Sequence, residues 1–426
     1  MNKGIGRKIK YFRIKSDMTQ EELAKDIVSV SYLSKIERNA ADANPQVVKQ
    51  ICERLGIKPE RTQDNHIQKE VHQWFNQLLN GELIRAYESY QMIEAEIESI
   101  IDAGLYWLVE LHTLYYFVLT DREELAERKY IFLQQDIDKF NEIEHYYWLK
   151  FSGLYFADRY EYYDAFQSLM RAEKMYPKEH FQDELEIHDL YFQIAKVSTN
   201  LYYTYHARVY INRALTFYKN TYRLRRCGES HLIVGITAKR MNEINEAIEH
   251  FRLAKKLSET IKDDHLLIDY HRAMGDVYRD MQLNDEAIEY YKRTYELTKH
   301  HYSERELQAI MGLCRSYAQK GDNDSAAYWC EVAQQLIQTG ESFSQLLSYE
   351  VNSYYYILHG FDQGFESLMV NDVLPFLKEK QLHYTYAHYL KLTANYYYNE
   401  RKYKVSADYY AAANELLDVV RVVDNY

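Results

Sequence analysis

Residues that interrupt helices are scarce in this sequence. Its 426 residues include only 4 prolines and 14 glycines, well below the ordinary shares of roughly 5% and 7%. Proline cannot donate a backbone hydrogen bond, and glycine is typical of turns. The shortage therefore predicts an all-α chain that is helical nearly throughout.

Cysteine pairs and long apolar runs are also missing. The four cysteines, Cys52, Cys227, Cys314 and Cys330, form no CxxC pair, so neither a zinc site nor a redox motif is indicated. No segment approaches the roughly 18 apolar residues of a membrane span, and the basic N-terminus lacks the apolar core of a signal peptide. We expect a soluble, cytoplasmic protein with no metal, no cofactor and no membrane contact.

Enzyme signatures are missing as well. The 16 histidines include no HExxH spacing, and no P-loop, Rossmann fingerprint or GxSxG motif occurs. Cys227 has basic neighbours in RRCGES, but burial accounts for most such cysteines. We therefore expect a binding protein and no catalytic residues.

The charge is divided between a basic head and an acidic body. Residues 1–61 carry a net charge of +5, whereas residues 62–426 carry −17, which gives −12 overall. A basic head can bind phosphate, while an acidic body favours solubility and resists non-specific binding to DNA. The hydrophobic share of 47% and the 44 tyrosines indicate helices with half-buried faces.

The head has the pattern of four short helices. The first is expected over Ile5–Lys15, and the second, TQEELAKDI, begins with a capping box of Thr19 and Glu22. A turn at residues 28–30 leads to SVSYLSKIERN, which has Leu33 and Ile36 on one side and polar residues on the other. A fourth helix follows Pro45.

The motif T-Q-x-x-L-A followed by L-S-x-I-E-R resembles the Cro/repressor-like (XRE) helix-turn-helix family over about the first 60 residues. The short turn without glycine resembles the RNPP family of peptide-sensing regulators. The resemblance implies an Arg13–Glu37 ion pair that braces the fold. It also implies DNA contacts, with four residues in the major groove and a fifth on phosphate. These are Val30, Ser31, Tyr32 and Lys35 in the groove and Gln20 on phosphate; without the motif they would be an ordinary solvated helix face.

The rest of the chain repeats at intervals of about 40 residues. A small residue recurs near the junction of two helices, and in six of nine units an aromatic residue follows it four positions later. This resembles the tetratricopeptide (TPR) repeat and implies a right-handed α-solenoid of about nine helix pairs over residues 71–426, after a linker at 62–70. The small residues are Ala86, Ala126, Ala165, Ala214, Ala247, Ala287, Ala326, Gly364 and Ser406.

A concave inner face is the usual binding surface of such a solenoid. Asn200 stands where TPR peptide receptors place an asparagine that holds the peptide backbone, a task for which an amide offers a donor and an acceptor. The arginines of this face could instead pair with neighbouring acids. The candidate peptide-binding residues are Lys196, Asn200, Tyr203, Arg240, Arg272, Arg279, Arg315, Lys391 and Asn395, with Lys150 and Asp276 as further inner-face residues.

Two functions from different classes fit this plan. By resemblance to RNPP regulators of the NprR type, the chain is a homodimeric or higher-order quorum-sensing transcription factor that binds an inverted-repeat DNA operator under the control of a short imported peptide. Alternatively, like Rap proteins, it binds a response regulator and modulates its phosphorylation, with Gln68, Gln73 or Gln77 positioning water. A phage or plasmid regulator with another ligand is a third hypothesis.

Overall fold

Helices make up all the regular structure that can be described. The computed structural model describes residues 5–38, 40–41, 44–59, 65–181, 184–299, 303–339 and 343–424, and within these ranges no strand occurs. The all-α prediction from the scarcity of proline and glycine is therefore confirmed.

The chain divides into two compact units. The first consists of residues 1–158 and 174–182, and the second of residues 159–173 and 183–426. The helix-turn-helix head and the first repeats thus belong to one unit, and the predicted division at residues 61–62 does not separate compact units. Residues 62–64 of the predicted linker lie outside the described ranges, while residues 65–70 are already helical.

The head contains four helices around a small apolar core. Ile9, Leu23, Leu33, Ile36 and Ile51 are at most 2% exposed and pack together, which is the core that helical spacing predicts. The side chains of Thr19, Ser29 and Asn44 cap the N-termini of the second, third and fourth helices. The helices are α1 (Ile5–Lys15), α2 (Gln20–Ala24), α3 (Val30–Glu37) and α4 (Pro45–Leu55).

Helix α2 is shorter than the predicted TQEELAKDI helix. The capping box is present, because Thr19 Oγ1 accepts from the Glu22 N–H while Glu22 accepts from the Thr19 N–H. The helix nevertheless ends at Ala24, since Lys25 has ψ 129° and Asp26 has φ 60°. Arg54 Nη1 donates to the Leu23 carbonyl at 3.0 Å, so a cation of α4 satisfies the end of α2.

Six further α-helices and two short 3-10 helices, Ile137–Lys139 and Lys178–His180, belong to the first unit. Helices α5 and α6 pack as a hairpin, as do α8 and α9, and the short α7 lies against α5, α6 and α8. Helix α10 packs against α8. The α-helices are α5 (Asn65–Asn80), α6 (Leu83–Ala95), α7 (Ile97–Asp102), α8 (Tyr106–Leu119), α9 (Glu123–Gln134) and α10 (Glu142–Asp158).

Most helices of the second unit pack against the next helix of the chain in consecutive pairs. A stretch of π-helix, Leu368–Val373, joins α21 to α22. The helices are α11 (Tyr162–Lys174), α12 (Leu185–Asn200), α13 (Thr204–Asn220), α14 (Leu224–Arg240), α15 (Ile244–Ile261), α16 (Asp264–Asp280), α17 (Asn284–Thr298), α18 (Glu304–Lys320), α19 (Asn323–Thr339), α20 (Gln345–His359), α21 (Gln363–Ser367), α22 (Leu374–Glu379), α23 (His383–Asn399) and α24 (Tyr403–Asp424).

The recurring small residues are buried in the repeats. Eight of the nine predicted positions are at most 2% exposed; Gly364 is half-buried. The first helices of successive hairpins, α12, α14, α16, α18 and α20, pack side by side and form one layer. In a curved two-layer stack the inner helices approach one another most closely, so we assign this layer to the inner face.

Candidate functional site

The surface of α3 carries the predicted groove residues. Ser29 caps the helix by accepting from the Tyr32 N–H at 3.3 Å, which fixes where the helix starts. Val30, Ser31 and Lys35 are exposed. Tyr32 is half-buried and packs against the apolar core of the head, so its ring stabilises the fold and only part of it faces outward.

A buried carboxylate braces this helix against α1 and α2. Glu37 is 5% exposed and accepts from Arg13 Nε at 2.7 Å and from Arg13 Nη2 at 3.2 Å. Arg13 Nη1 also donates to the Met18 carbonyl at 2.8 Å. The expected bracing ion pair is therefore present, and its two-pronged geometry fixes the angle of α3.

Gln20 takes part in the same brace. Its amide nitrogen donates to Glu37 Oε2 at 2.7 Å, a contact that the sequence pattern did not predict. One hydrogen of this amide is therefore occupied, while the second can still donate to a phosphate oxygen.

A narrow polar strip marks the inner surface of α12. Lys196 and Asn200 are exposed, whereas the residues between them, 197–199, are buried. The two side chains are four positions apart and therefore lie on the same side of the helix. They are the predicted peptide-binding residues that this helix presents to solvent.

The prediction for Tyr203 requires correction. Helix α12 ends at Asn200, and the chain turns at Tyr202, whose φ is 61°. Helical spacing therefore does not extend to Tyr203, which is 2% exposed and meets the Phe166 ring edge-on at 5.4 Å. Tyr203 is a core residue whose ring packs against α11.

The predicted arginines of α16 surround a carboxylate. Arg279 Nη2 lies 3.2 Å from Asp276 Oδ1, and Arg272 Nη1 lies 3.7 Å from Asp276 Oδ2. The Tyr291 hydroxyl donates to Asp276 Oδ1 at 2.6 Å. Burial opposes ionisation of Asp276, but the cations of Arg279, Lys239 and Arg272 outweigh it and lower its pKa to about 2.

Arg315 is compensated in the same way. Its Nη1 pairs with Glu350 of α20. Burial disfavours the guanidinium charge, yet the acidic surroundings led by Glu350 raise its pKa. Its Nε, like that of Arg272, is buried without a hydrogen-bond partner among the described residues. Each guanidinium therefore has one buried N–H group without a hydrogen-bond partner in the described part of the chain.

Arg240 is held by the end of the neighbouring inner helix. Its Nη1 donates to the Thr199 carbonyl at 2.7 Å, and its guanidinium lies 3.9 Å from the centre of the Tyr202 ring. This half-buried side chain therefore links α14 to the end of α12. It stabilises the edge of the inner face through a cation–π contact and a carbonyl bond.

Lys391 and Asn395 lie one turn apart on α23. Lys391 is half-buried and Asn395 is exposed. The Tyr410 hydroxyl of α24 donates to the Asn395 side-chain oxygen. Part of the predicted amide is therefore occupied within the last hairpin.

The remaining candidate residues from the sequence differ in how far they are buried. Gln68 and Gln73 are exposed on α5, whereas Gln77 is 7% exposed and Lys150 is 1% exposed. Burial also raises the pKa of the Cys227 thiol, which disfavours the reactive thiolate.

Neither metal nor membrane features were found in the described residues. In those ranges, no three His, Cys, Asp or Glu side chains lie together in a way that could hold a metal ion. The helices within the same ranges include none that is both long and apolar enough to cross a membrane.

Two residues that the sequence pattern did not select complete the inner-face network. Glu350 carries no recognisable motif. Tyr291 fits the repeat pattern only as the aromatic residue four positions after Ala287. Its hydroxyl contact with Asp276, fifteen positions away in sequence, depends on the packing of α17 against α16.

Comparison with known proteins gives the family context. Residues 9–61 match the helix-turn-helix family HTH_3. Over 401 residues, which are 93% of this chain and 98% of the relative, the sequence is 26% identical to the transcriptional activator NprA of Geobacillus stearothermophilus. Over 349 residues, 79% of this chain and 90% of the relative, it is 24% identical to the response regulator aspartate phosphatase A of Bacillus subtilis strain 168.

The repeat fold also has a solved counterpart. The crystal structure of NprR in complex with its cognate peptide NprX matches 84% of this chain and 100% of that chain with a TM-score of 0.71 at 17% identity. At this identity the match establishes the TPR-like helical fold. The chain combines a head that matches HTH_3 with this repeat fold. Its predicted resemblance to the RNPP regulators is therefore confirmed.

Proposed function

We propose that this chain is a transcriptional regulator whose DNA binding is controlled by a short signalling peptide held on the inner face of its repeats. One observation carries the proposal: two helices whose other sides are packed expose polar residues, namely Ser31 and Lys35 on α3 and Lys196 and Asn200 on α12. The similarity to the transcriptional activator NprA supports the same assignment. Such a regulator would act in the cytoplasm, where DNA and an imported peptide meet.

DNA recognition would use the exposed side of α3. Ser31 and Lys35 can hydrogen-bond to base edges, Val30 can contact a thymine methyl group, and the outward part of Tyr32 can contribute at the rim. Gln20 would donate its remaining amide hydrogen to phosphate. A head of this size has a small interface, so a homodimer on an inverted-repeat operator is the expected arrangement.

Peptide recognition would begin at α12. The Asn200 amide can pair with both the N–H and the carbonyl of an extended peptide. Lys196, one turn earlier, can hold an acidic side chain or the C-terminal carboxylate. Lys391 and Asn395 on α23 are a second contact set, although Tyr410 must release the Asn395 oxygen if that atom is used.

The inner arginines already form ion pairs with acidic residues of the protein, and this limits which peptide groups they can bind. Because Arg272 and Arg279 both contact Asp276 and Arg315 pairs with Glu350, these three guanidiniums do not form an open cationic patch. The Nε atoms of Arg272 and Arg315 are buried without a hydrogen-bond partner in the described part of the chain, so a peptide acceptor would pair with them only after these side chains move. Neutral carbonyls suit these sites, whereas an added carboxylate would compete with the resident acids.

Control of DNA binding follows from linkage. A peptide can shift the protein only between forms that it binds with unequal affinity. Binding on the inner face would favour one packing of the hairpins or one oligomer over another, and the DNA-binding heads would respond.

The proposal is tested with two probes. An operator is selected from random duplex DNA by the purified full-length chain, and synthetic peptides are taken from the C-terminus of a small secreted-type reading frame beside the gene. We expect calorimetric binding of one such peptide and a changed operator affinity in a gel shift at fixed salt. Absence of sequence-selective DNA binding, with and without peptide, would refute the assignment.

A second candidate function is regulation of a response regulator. It is favoured by the similarity to aspartate phosphatase A over 79% of the chain. Gln68 and Gln73, both exposed on α5, could position water at an aspartyl phosphate, whereas the burial of Gln77 disfavours that residue. Loss of phosphate from a phosphorylated receiver domain, abolished by Gln68→Ala or Gln73→Ala, would establish this activity.

A further inference from the structure

A fully buried lysine joins the head to the first repeats. Lys8 of α1 is 0% exposed, and its ammonium group lies 2.8 Å from Glu98 Oε1 and 2.9 and 3.0 Å from the two carboxylate oxygens of Asp102. These acids belong to α7, about 90 residues further along the chain. Burying an ammonium group is unfavourable unless it is paired and hydrogen-bonded, so this contact depends on all three side chains.

Neighbouring contacts lie on the same side of the head. The Lys58 N–H donates to Glu98 Oε1 at 3.0 Å, the Tyr11 and Tyr106 rings meet edge-on at 5.7 Å, and the Arg7 guanidinium lies 5.3 Å from the centre of the Trp107 ring. The head is therefore attached to α7 and α8 through α1 and the segment after α4. Ser31 and Lys35 of α3 remain exposed.

We infer that Lys8 is a positioning residue for DNA binding. With Glu98 and Asp102 it forms a docking cluster that fixes the head on α7, so that the head and the hairpins α5–α6 and α8–α9 move as one body. In a dimer, rigidly docked heads present their recognition helices at a fixed separation and thereby select the half-site spacing. This last step rests on the proposed DNA-binding function, whereas the docking itself does not.

Docking is measured without DNA by the distance between two spin labels. Lys49 of α4 and Arg128 of α9, whose side chains are 69% and 76% exposed, are replaced by labelled cysteine in the full-length chain, in which all four native cysteines are buried. We expect one narrow distance peak that is lost in Lys8→Met. A persistent narrow peak in Lys8→Met would overturn the inference.

Two further variants separate docking from folding. Arg85→Met breaks an exposed ion pair with Glu82 in the same unit and should keep the narrow peak. The triple variant Lys8→Met, Glu98→Gln and Asp102→Leu removes the buried lysine together with the charges of both acids that pair with it. Apolar replacement of a buried ion pair can preserve packing, so this variant should restore the peak. Failure of the triple variant to restore the peak, with α3 and α4 still protected from hydrogen exchange, would count against the docking cluster.

The DNA measurement uses duplexes with the selected half-sites moved apart by one or two base pairs. We expect the original chain to discriminate strongly between spacings, and Lys8→Met to lose most of that discrimination. Tighter binding of the original operator by Lys8→Met would instead indicate an inhibitory contact and overturn the positioning role. If the original chain binds no DNA, the proposed function fails, and the label distances alone decide whether the head is docked.

Discussion

One carboxylate, Glu37, organises the DNA-binding head. It is buried and holds both Arg13 and Gln20, so three helices are tied together at one point. Removing one partner of a buried ion pair leaves an uncompensated charge. The brace therefore sets the orientation of α3, while Ser31 and Lys35 remain available to contact DNA.

Replacing Lys35 should weaken operator binding without unfolding the head. Lys35 is exposed on α3. The loss of one specific contact is expected to weaken the free energy of operator binding by roughly 1–3 kcal/mol. Lys35→Ala is compared with Lys49→Ala, which removes an exposed lysine of α4, in a gel-shift titration at fixed salt. If the two variants bind the operator with equal affinity, Lys35 does not contact the major groove. Tyr32→Phe is the suitable companion, since alanine would also disturb the core.

Replacing Asn200 should weaken peptide binding. An unpaired peptide group at this site costs roughly 1–3 kcal/mol, which corresponds to a loss of roughly 5- to 150-fold in affinity. Asn220→Ala is a matched control, because Asn220 is the exposed last residue of α13, the second helix of the same hairpin. Calorimetric titration compares the two. If a folded Asn200→Ala variant binds the peptide with unchanged affinity, the peptide site lies elsewhere, and Lys391 and Asn395 become the leading candidates.

At the scale of elements, Tyr291 determines how three helices meet. It lies on α17, its hydroxyl bonds to Asp276 of α16, and its ring faces Gly312 of α18. A Cβ atom at Gly312 would lie 2.4 Å from the ring, and one at Gly275 would lie 2.8 Å from it. Glycine is needed here because the backbone and the ring approach so closely.

Gly312→Ala should therefore destabilise the second unit. Overpacking a well-packed core typically costs roughly 1–3 kcal/mol, which a urea titration followed by circular dichroism can measure. The double variant Gly312→Ala, Tyr291→Leu removes the ring that clashes and should lose less stability than the two single changes added together. If the stability loss of the double variant equals the sum of the losses of the two single variants, the clash between the methyl group added at position 312 and the Tyr291 ring does not cause the destabilisation.

At the scale of the whole molecule, buried histidines make the fold sensitive to acid. His112 of the first unit is 3% exposed, and burial is the main reason that its pKa falls to about 3. In the second unit, burial is likewise the main reason that the pKa values of His231 and His271 fall to about 4. The folded state keeps these rings neutral, whereas the unfolded chain protonates them below its ordinary pKa of about 6.5.

The sign of the pH effect follows from these pKa values. Between pH 6.5 and the folded pKa the unfolded chain binds more protons, so stability decreases as the pH falls through this window. For His112 the loss is about 2 kcal/mol by pH 5. We expect a lower urea midpoint at pH 5 than at pH 7.5, and a smaller difference in His112→Gln. His66→Gln, which changes an exposed histidine, should retain the full pH dependence.

The sequence by itself determined the local structure. Few breakers, the Thr19–Glu22 capping box, Pro45 and the apolar spacing of the head predict its four helices. The bounds of Ile5–Lys15 are predicted as well, whereas α2 ends earlier than predicted. The recurring small residues likewise predict the repeats, because close helix packing permits little else at those positions. These features act over one or two helical turns, and neighbouring residues alone specify them.

Only the tertiary structure decided which polar residues remain available for binding. Tyr203 was expected on the inner face, but the end of α12 at Asn200 turns it into the core. Gln20, Arg240 and Arg315 have acceptors on other helices, and Lys8 meets acids about 90 residues away. Such pairings depend on which distant helices pack together, and because helical spacing specifies only the side on which a residue lies, it cannot identify the charge that faces it.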